Sequence, residues 1–429
     1  MHTTSTFCLE NVFYKGTAWA LLVQDGRIMA SGPSARLEIP ASLKDVPRIN
    51  GEGCLLFPSF IDAHVHLREP GFEYKENIES GLRAAAHGGF GTVMPMANTR
   101  PVNDSASITL NMLEKARQHW PHGPRLCPVG ALSLGLEGKE LAPYGELVEA
   151  GCVAISNDGK PVPSTEIFRR AVEYASHWGL TVIDHCEDPT LASGWHMNEG
   201  ITSGLLGIKG QPVVGESVQV ARNVLLAEYL GISIHLAHIS CRQSVELIAW
   251  AKSRGVRITA ETCPHYLFLD ETRLEGYTAD AKVSPPLRSA DDVKAIKEAL
   301  ISGVIDMLVT DHAPHAPHEK EDTIDQIPFG FIGLETAVSL TYDLVRQKVL
   351  DEAAFIDRWH TAPAAAFNLP VNTLSPGDAA NFFLFDPHRQ WTVCRETLHS
   401  KSINTPFYGQ TLTGQVVKHW LEGYLLVSK

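Results

Sequence analysis

The strongest constraint on the fold is a repeated unit: a short apolar run that ends in polar residues, then a longer stretch with apolar residues at three- and four-residue intervals. The apolar runs fall at 57–66, 91–98, 125–131, 152–158, 181–186, 233–239, 257–262 and 305–311. Between them lie 77–87, 105–119, 164–178, 216–229, 244–254 and 290–301, which have helical spacing. Strands that alternate with helices pair in parallel, and eight is the number that closes a barrel. Several runs are almost continuously apolar, as strands covered on both faces must be. The expected fold class is α/β, a (β/α)8 TIM barrel.

The two ends of the chain break this pattern. Residues 1–54 read as short alternating strands with turns at Asp25-Gly26 and Ser31-Gly32-Pro33. From 375 onward the chain runs through Asn381-Phe382-Phe383-Leu384-Phe385 to two more strand-like stretches near 412–428. The expected organisation is one small β-sandwich-like domain from both termini, 1–54 and 375–429, with the barrel between them at 55–374. At 429 residues the chain is long enough for both.

Composition narrows the classes of function. With 36 Lys and Arg against 49 Asp and Glu, the net charge of −13 opposes binding to nucleic acid or to an anionic membrane. No apolar run is long enough for a membrane span. Met1-His2-Thr3-Thr4-Ser5 does not begin a secretion signal, so a cytoplasmic location is expected. The eight cysteines, at 8, 54, 127, 152, 186, 241, 263 and 394, have no paired spacing and read as buried thiols of a reducing compartment.

In such a barrel the chemistry lies at the C-terminal ends of the strands. Strand one ends in His64-Val65-His66, two residues that share a face in a strand and can reach one metal ion. Strand two ends at Asn98-Thr99, strand four at Asn157-Asp158-Gly159 and strand five at Asp184-His185. Strand six ends at His238, and strand eight at Thr310-Asp311-His312. Four histidines (His64, His66, His185, His238) and two aspartates (Asp158, Asp311) thus converge from five strands. Imidazole and carboxylate are ligands of zinc and related divalent ions, and six are enough for two. His235, His265 and His312 are read as packed or hydrogen-bonded side chains outside this set. Arg68 is either an anion-binding residue or a loop ion pair with Glu69 or Glu73.

Taken together, these segments resemble the metal-dependent amidohydrolases, and within them the class I dihydroorotases. The resemblance covers nearly the whole chain. It rests on Asp62-Ala63-His64-Val65-His66-Leu67-Arg68-Glu69-Pro70-Gly71, Asn98-Thr99, Asn157-Asp158-Gly159 and Asp184-His185-Cys186-Glu187-Asp188. Pro285-Pro286-Leu287-Arg288, Thr310-Asp311-His312-Ala313-Pro314-His315 and Pro328-Phe329-Gly330 complete it. The resemblance implies that His64, His66 and Asp311 hold one metal ion, that His185 and His238 hold a second, and that the Asp158 carboxylate bridges them. Many relatives bridge with a carboxylated lysine instead. Strand four holds no lysine, and Lys160 lies past the Gly159 turn. Arg68, Asn98 and His315 match contacts to a substrate carboxylate. His66, Ser284, Phe329 and Gly330 match contacts around the substrate ring. Two positions depart from the family: Asn157 replaces a usual aspartate, and Ser284 replaces a usual asparagine.

The implied reaction is the reversible cyclisation of N-carbamoyl-L-aspartate to L-dihydroorotate, with Zn2+ as cofactor, two ions per chain, and Asp311 moving the proton. A homodimer and association with aspartate carbamoyltransferase are implied by the same resemblance. The 315–329 loop is expected to close over substrate. Two other readings stay open at this point. One is a different cyclic amide hydrolase, of the dihydropyrimidinase, hydantoinase or allantoinase kind. The other is a non-catalytic homologue that partners aspartate carbamoyltransferase.

Overall fold

A computed structural model describes residues 6–429 apart from Glu38, Ala41, Ser42 and Lys44. Residues 1–5, read above for a secretion signal, lie outside the described residues.

Eight barrel strands follow one another: Phe60–Val65, Phe90–Pro95, Arg125–Leu126 continued by Val129–Ala131, Ala154–Ser156, Thr181–Asp184, Ile234–Leu236, Ile258–Thr262 and Met307–Leu308. They are referred to below as strands one to eight. Their pairing is parallel throughout. Strand three is interrupted at Cys127-Pro128, where proline offers no N–H to a ladder. The ring closes where Val65 bridges His312 in parallel and the His66 N–H donates to the His312 carbonyl at 2.8 Å.

The helices between strands begin and end where local chemistry places them. Helix Ile78–Gly88 starts at Asn77, whose side chain accepts from Ser80 N, and ends at Gly89 in the left-handed region (φ 91°). Helices Ala106–His119, Thr165–His177, Val214–Leu230, Arg242–Ser253 and Ala290–Ser302 lie on the stretches with helical spacing. Helices Tyr144–Ala150 and Ala337–Arg346 are additional to them. Among the described residues no helix is long and apolar enough to cross a membrane.

Strands from both termini form one hydrogen-bonded sheet, and residues from its strands pack into a cluster of their own. Leu55–Pro58 belongs to this sheet, between Phe7–Tyr14 and Phe382–Thr392, so strand one begins at Phe60 rather than 57. Ser31-Gly32-Pro33 is not a turn: it ends strand Arg27–Pro33, which lies at the sheet edge, where proline is tolerated. The turn at Asp25-Gly26 is present. Successive residues of the terminal sheet serve two cores. Phe382 packs with Phe7 and Trp420 inside the sheet's own cluster, while Phe383 turns to the barrel side and meets Phe60 edge-on at 4.9 Å. All eight cysteines are free thiols, seven of them buried.

Candidate active site

The polar strand ends meet at one rim of the barrel. Asp62, midway along strand one, points into the protein and accepts from the Thr310 N–H (3.0 Å) and the His64 N–H (3.3 Å), which locks strand one to strand eight. Three non-glycine residues at this rim, Arg68, His238 and Asp311, have positive φ (64°, 32° and 47°). Such backbone costs about 1–3 kcal/mol per residue and collects where a site must aim its side chains.

Six side chains converge there, all buried. His66 Nε2 lies 3.1 Å from Asp311 Oδ1 and 3.6 Å from Asp158 Oδ2. His64 Nε2 lies 3.4 Å from Asp158 Oδ1 and 3.8 Å from Asp311 Oδ1. On the other side, His185 Nδ1 and His238 Nε2 are 2.9 Å apart, and each is 3.4 Å from Asp158 Oδ1. Asp158 therefore stands in the middle, with one oxygen toward His64, His185 and His238 and the other toward His66. Sets of three ligand atoms within 4.8 Å of one another include His64–His66–Asp311 and His64–Asp158–His238, and Asp311 also falls in one with Cys263 and His265. His185 Nδ1 joins Asp158 and His238, each pair of these three lying 2.9–3.4 Å apart.

The charges are strongly coupled. Burial alone would lower His64, but Asp158 and Glu261 hold it well above its ordinary pKa. Burial likewise opposes His185, which Asp158 and Glu187 raise to about 10. Burial would raise the two aspartates. The facing histidines outweigh it, so Asp158 sits well below and Asp311 below the usual carboxylate range. The cluster thus has clustered carboxylates balanced by imidazolium protons, which a divalent ion would replace. His64 Nε2 fits that requirement most directly: it is buried, faces the two carboxylates, and has no hydrogen-bond partner among the described residues. The N/O donor set suits zinc-like ions.

A layer behind these ligands orients them. Glu261, on strand seven, binds His64 Nδ1 at 2.7 Å and His235 Nε2 at 2.9 Å, and His235 Nδ1 reaches Thr259 at 2.8 Å. His66 Nδ1–H points to Asn98 Oδ1 (2.9 Å), leaving Nε2 for the cluster. Asn157 clamps the loop after strand four. Its carbonyl accepts from Ser133 N and Oγ, and its amide donates to the carbonyls of Leu136 and Lys160. Two of those contacts need a donor, which an aspartate would lack. His312 sits beside Glu76 (3.4 Å), behind the rim. His265 is buried close to Cys263 and Asp311, and Lys160 is exposed.

The expected substrate-binding residues are unevenly placed. Arg68 makes no ion pair with Glu69 or Glu73; its Nε donates to the Pro314 carbonyl. Burial lowers it only to about 10, so it stays cationic at neutral pH. His315 accepts a hydrogen bond from Lys75 at Nδ1 (3.2 Å) and donates from Nε2 to the Phe329 carbonyl (2.8 Å). Burial pulls its pKa down to about 3, so the ring is neutral. Gly330 has φ 111°, and a Cβ there would come within 2.6 Å of Ala313 Cβ. The Asn98 amide donor faces Asp158 (3.4 Å), so both ends of this side chain engage metal-site residues. Ser284 is partly exposed and makes no side-chain hydrogen bond among the described residues. A cavity of about 780 Å3 opens at the opposite end, near Ile61, Thr92 and Val153, away from all these groups.

Residues the spacing did not single out are Glu261 and Asp62. Their signal is a carboxylate inside an otherwise apolar strand, which must be paired if buried.

Comparison with known proteins gives the family and the fold. Residues 53–244 match the family model described as "Dihydro-orotase-like". The dihydroorotase of Syntrophotalea carbinolica is 45% identical over 403 residues, which is 94% of this chain and 93% of the relative. That of Geotalea daltonii is 46% identical over 403 residues, with the same coverage. Among solved structures, the L-hydantoinase (dihydropyrimidinase) from Arthrobacter aurescens superposes with a TM-score of 0.86 at 23% identity, over 99% of this chain and 97% of that one. The dihydropyrimidinase from Brevibacillus agri gives 0.79 at 22% identity, over 99% and 95%. At such identities the superpositions speak for the fold.

Proposed function

The chain belongs to the dihydroorotase family, and from that premise we infer that the rim cluster is its metal centre and that Asp311 is its proton carrier. The activity is that of a cyclic amidohydrolase, the reversible ring closure of N-carbamoyl-L-aspartate to L-dihydroorotate in pyrimidine synthesis. The observation that carries the site reading is the convergence of His64, His66, Asp158, His185, His238 and Asp311 around one carboxylate.

In this reading His64, His66 and Asp311 would hold one ion and His185 and His238 the other, with the Asp158 carboxylate available to both. Bound divalent metal supplies an acidified water and a polarised carbonyl. The chain supplies the rest. Asp311, kept ionised by the imidazoles around it, takes a proton from the attacking water and returns it to the leaving ring nitrogen. Arg68, cationic and free of a carboxylate partner, binds the ring carboxylate as a charged fork. His315, neutral and tied to Phe329, presents that loop with Gly330 to the ring. Asn98 serves His66 as well as substrate, and Ser284 offers one free hydroxyl at the ring.

The ion, its number and the partners belong to the same proposal. Zinc, two ions per chain, is supported by the imidazole and carboxylate donors. A homodimer is supported by an exposed apolar stripe, Val214, Val218, Leu225 and Tyr229 on one helix, and by Ile201 and Leu205 (82% and 83% exposed) on the preceding one. A cytoplasmic location is supported by eight unpaired thiols. Association with aspartate carbamoyltransferase rests on family resemblance alone. A division into a terminal domain, 1–54 with 375–429, and a barrel, 55–374, is supported in outline by the joining of both termini in one sheet, which takes in Leu55–Pro58 as well.

The test is turnover of dihydroorotate, dihydrouracil, hydantoin and allantoin with metal analysis on the same sample. Hydrolysis of an uncharged ring and none of dihydroorotate would overturn the substrate reading. Asp311→Asn should lose at least 1000-fold in kcat with the fold intact; near-normal kcat would remove Asp311 from its role.

A further inference from the structure

The loop after strand eight, 313–331, has only the short turn Pro317–Glu319 as regular structure, and 321–326 is largely exposed. Such a segment must take its shape from side-chain contacts. Several of these run to one residue, Lys282, on the segment after strand seven.

Lys282 is 1% exposed and has no carboxylate within ion-pair distance among the described residues. A buried ammonium without an ion pair needs an acceptor for each of its three protons. It finds three: the carbonyls of Ile324 (2.6 Å) and Ile327 (2.7 Å), and Nδ1 of His196 (3.2 Å), from the loop after strand five. Its Nζ also stands 4.4 Å from the centre of the Phe329 ring, which meets Trp195 at 4.5 Å and His196 at 6.5 Å. The Lys282 carbonyl accepts from the Gly330 N–H at 2.9 Å. From inside the loop, Lys320 adds a second stitch to the carbonyls of Pro328 (2.8 Å) and Ala279 (3.4 Å).

We propose that Lys282 is a positioning residue for the reaction: by satisfying the Ile324 and Ile327 carbonyls and seating the Phe329 ring, it holds the strand-eight loop in the shape that presents Phe329 and Gly330 to the substrate. This rests on the reading that those two residues contact the ring. The ammonium is suited to the task because its three donors reach two loops at once. Without it, two loop carbonyls lose the only side-chain donor they have among the described residues, and the Phe329 ring loses its cation.

The experiment compares Lys282→Met, which keeps the length and loses the donors, with Lys282→Arg, which restores donors, and with Phe329→Ala. Steady-state kinetics on dihydroorotate, metal content, and cleavage by Glu-C protease after Glu321 are measured for each. Lys282→Met is expected to raise KM at least tenfold with kcat within threefold, to keep its metal, and to be cut at least tenfold faster. Lys282→Arg should recover part of both effects. If Lys282→Met does not fold, Lys282→Gln is the second variant, with the same expected directions. Unchanged loop cleavage overturns the clamp. Faster cleavage with unchanged KM, in a protein where Phe329→Ala does raise KM, overturns the positioning role. If Phe329→Ala leaves KM unchanged, the reading of the loop as a substrate contact fails, and cleavage alone then decides the clamp.

Discussion

His64 has its two ring nitrogens divided between two tasks: Nδ1 against Glu261, Nε2 against Asp158 and Asp311. That division fixes the tautomer on metal loading, and Glu261 repeats it by anchoring His235. Outer carboxylates of this kind raise ligand basicity and are worth about 10–100-fold in metal affinity. Glu261→Gln should therefore weaken metal binding by that factor in chelator competition while the barrel stays folded. An affinity within twofold of the parent would mean that Glu261 is only a packing element. The histidines at strand ends were legible as ligands because strand periodicity decides where they point. Glu261 was not, because its partner His64 lies 197 residues away in the chain.

At the level of elements, the loop after strand four shows how one departure from the family pattern is accommodated. Asn157 uses its amide to hold the carbonyls of Leu136 and Lys160, and this turns Asp158 inward. An aspartate would set its charge against both carbonyls. Asn157→Asp is expected to cost about 1–3 kcal/mol in urea unfolding, the usual penalty for unsatisfied buried polar groups. An equally stable variant would show that the loop can repack. The helix limits were legible to within a few residues because capping is local: Asn77 before Ile78, Gly89 after Gly88. The extent of strand one was less so, since 55–58 is as apolar as 60–65 and only hydrogen bonding to Phe382–Thr392 assigns it to the terminal sheet.

Across the whole molecule, the terminal sheet is tied to the barrel by His419, which lies between Ser59 Oγ (2.8 Å) and the Ala86 carbonyl (2.7 Å). Burial lowers its pKa from the ordinary 6.5 to about 4. The folded state thus keeps His419 neutral where the unfolded chain would bind a proton. Its contribution is complete above pH 6.5 and is lost as pH falls from 6.5 to 4. The full difference is on the order of 3 kcal/mol. The Tm should fall across that window, and His419→Gln should flatten the fall relative to the parent. Parallel Tm curves for the two proteins would exclude His419 as a source of the acid sensitivity.

The sequence by itself determined the barrel, the rim where its chemistry lies and the residue types gathered there, because strand and helix periods are local and parallel pairing brings every strand end to one side. It also carried the family pattern from His64 to Gly330. Only the tertiary structure decided which nitrogen of each histidine faces the cluster, that Asn98 serves His66, and that Leu55–Pro58 joins the terminal sheet. The same holds for Lys282, whose ammonium finds its three acceptors on two distant loops. A hydrogen bond depends on positions within tenths of an ångström, and residues far apart in the chain reach such positions only when the whole barrel has closed.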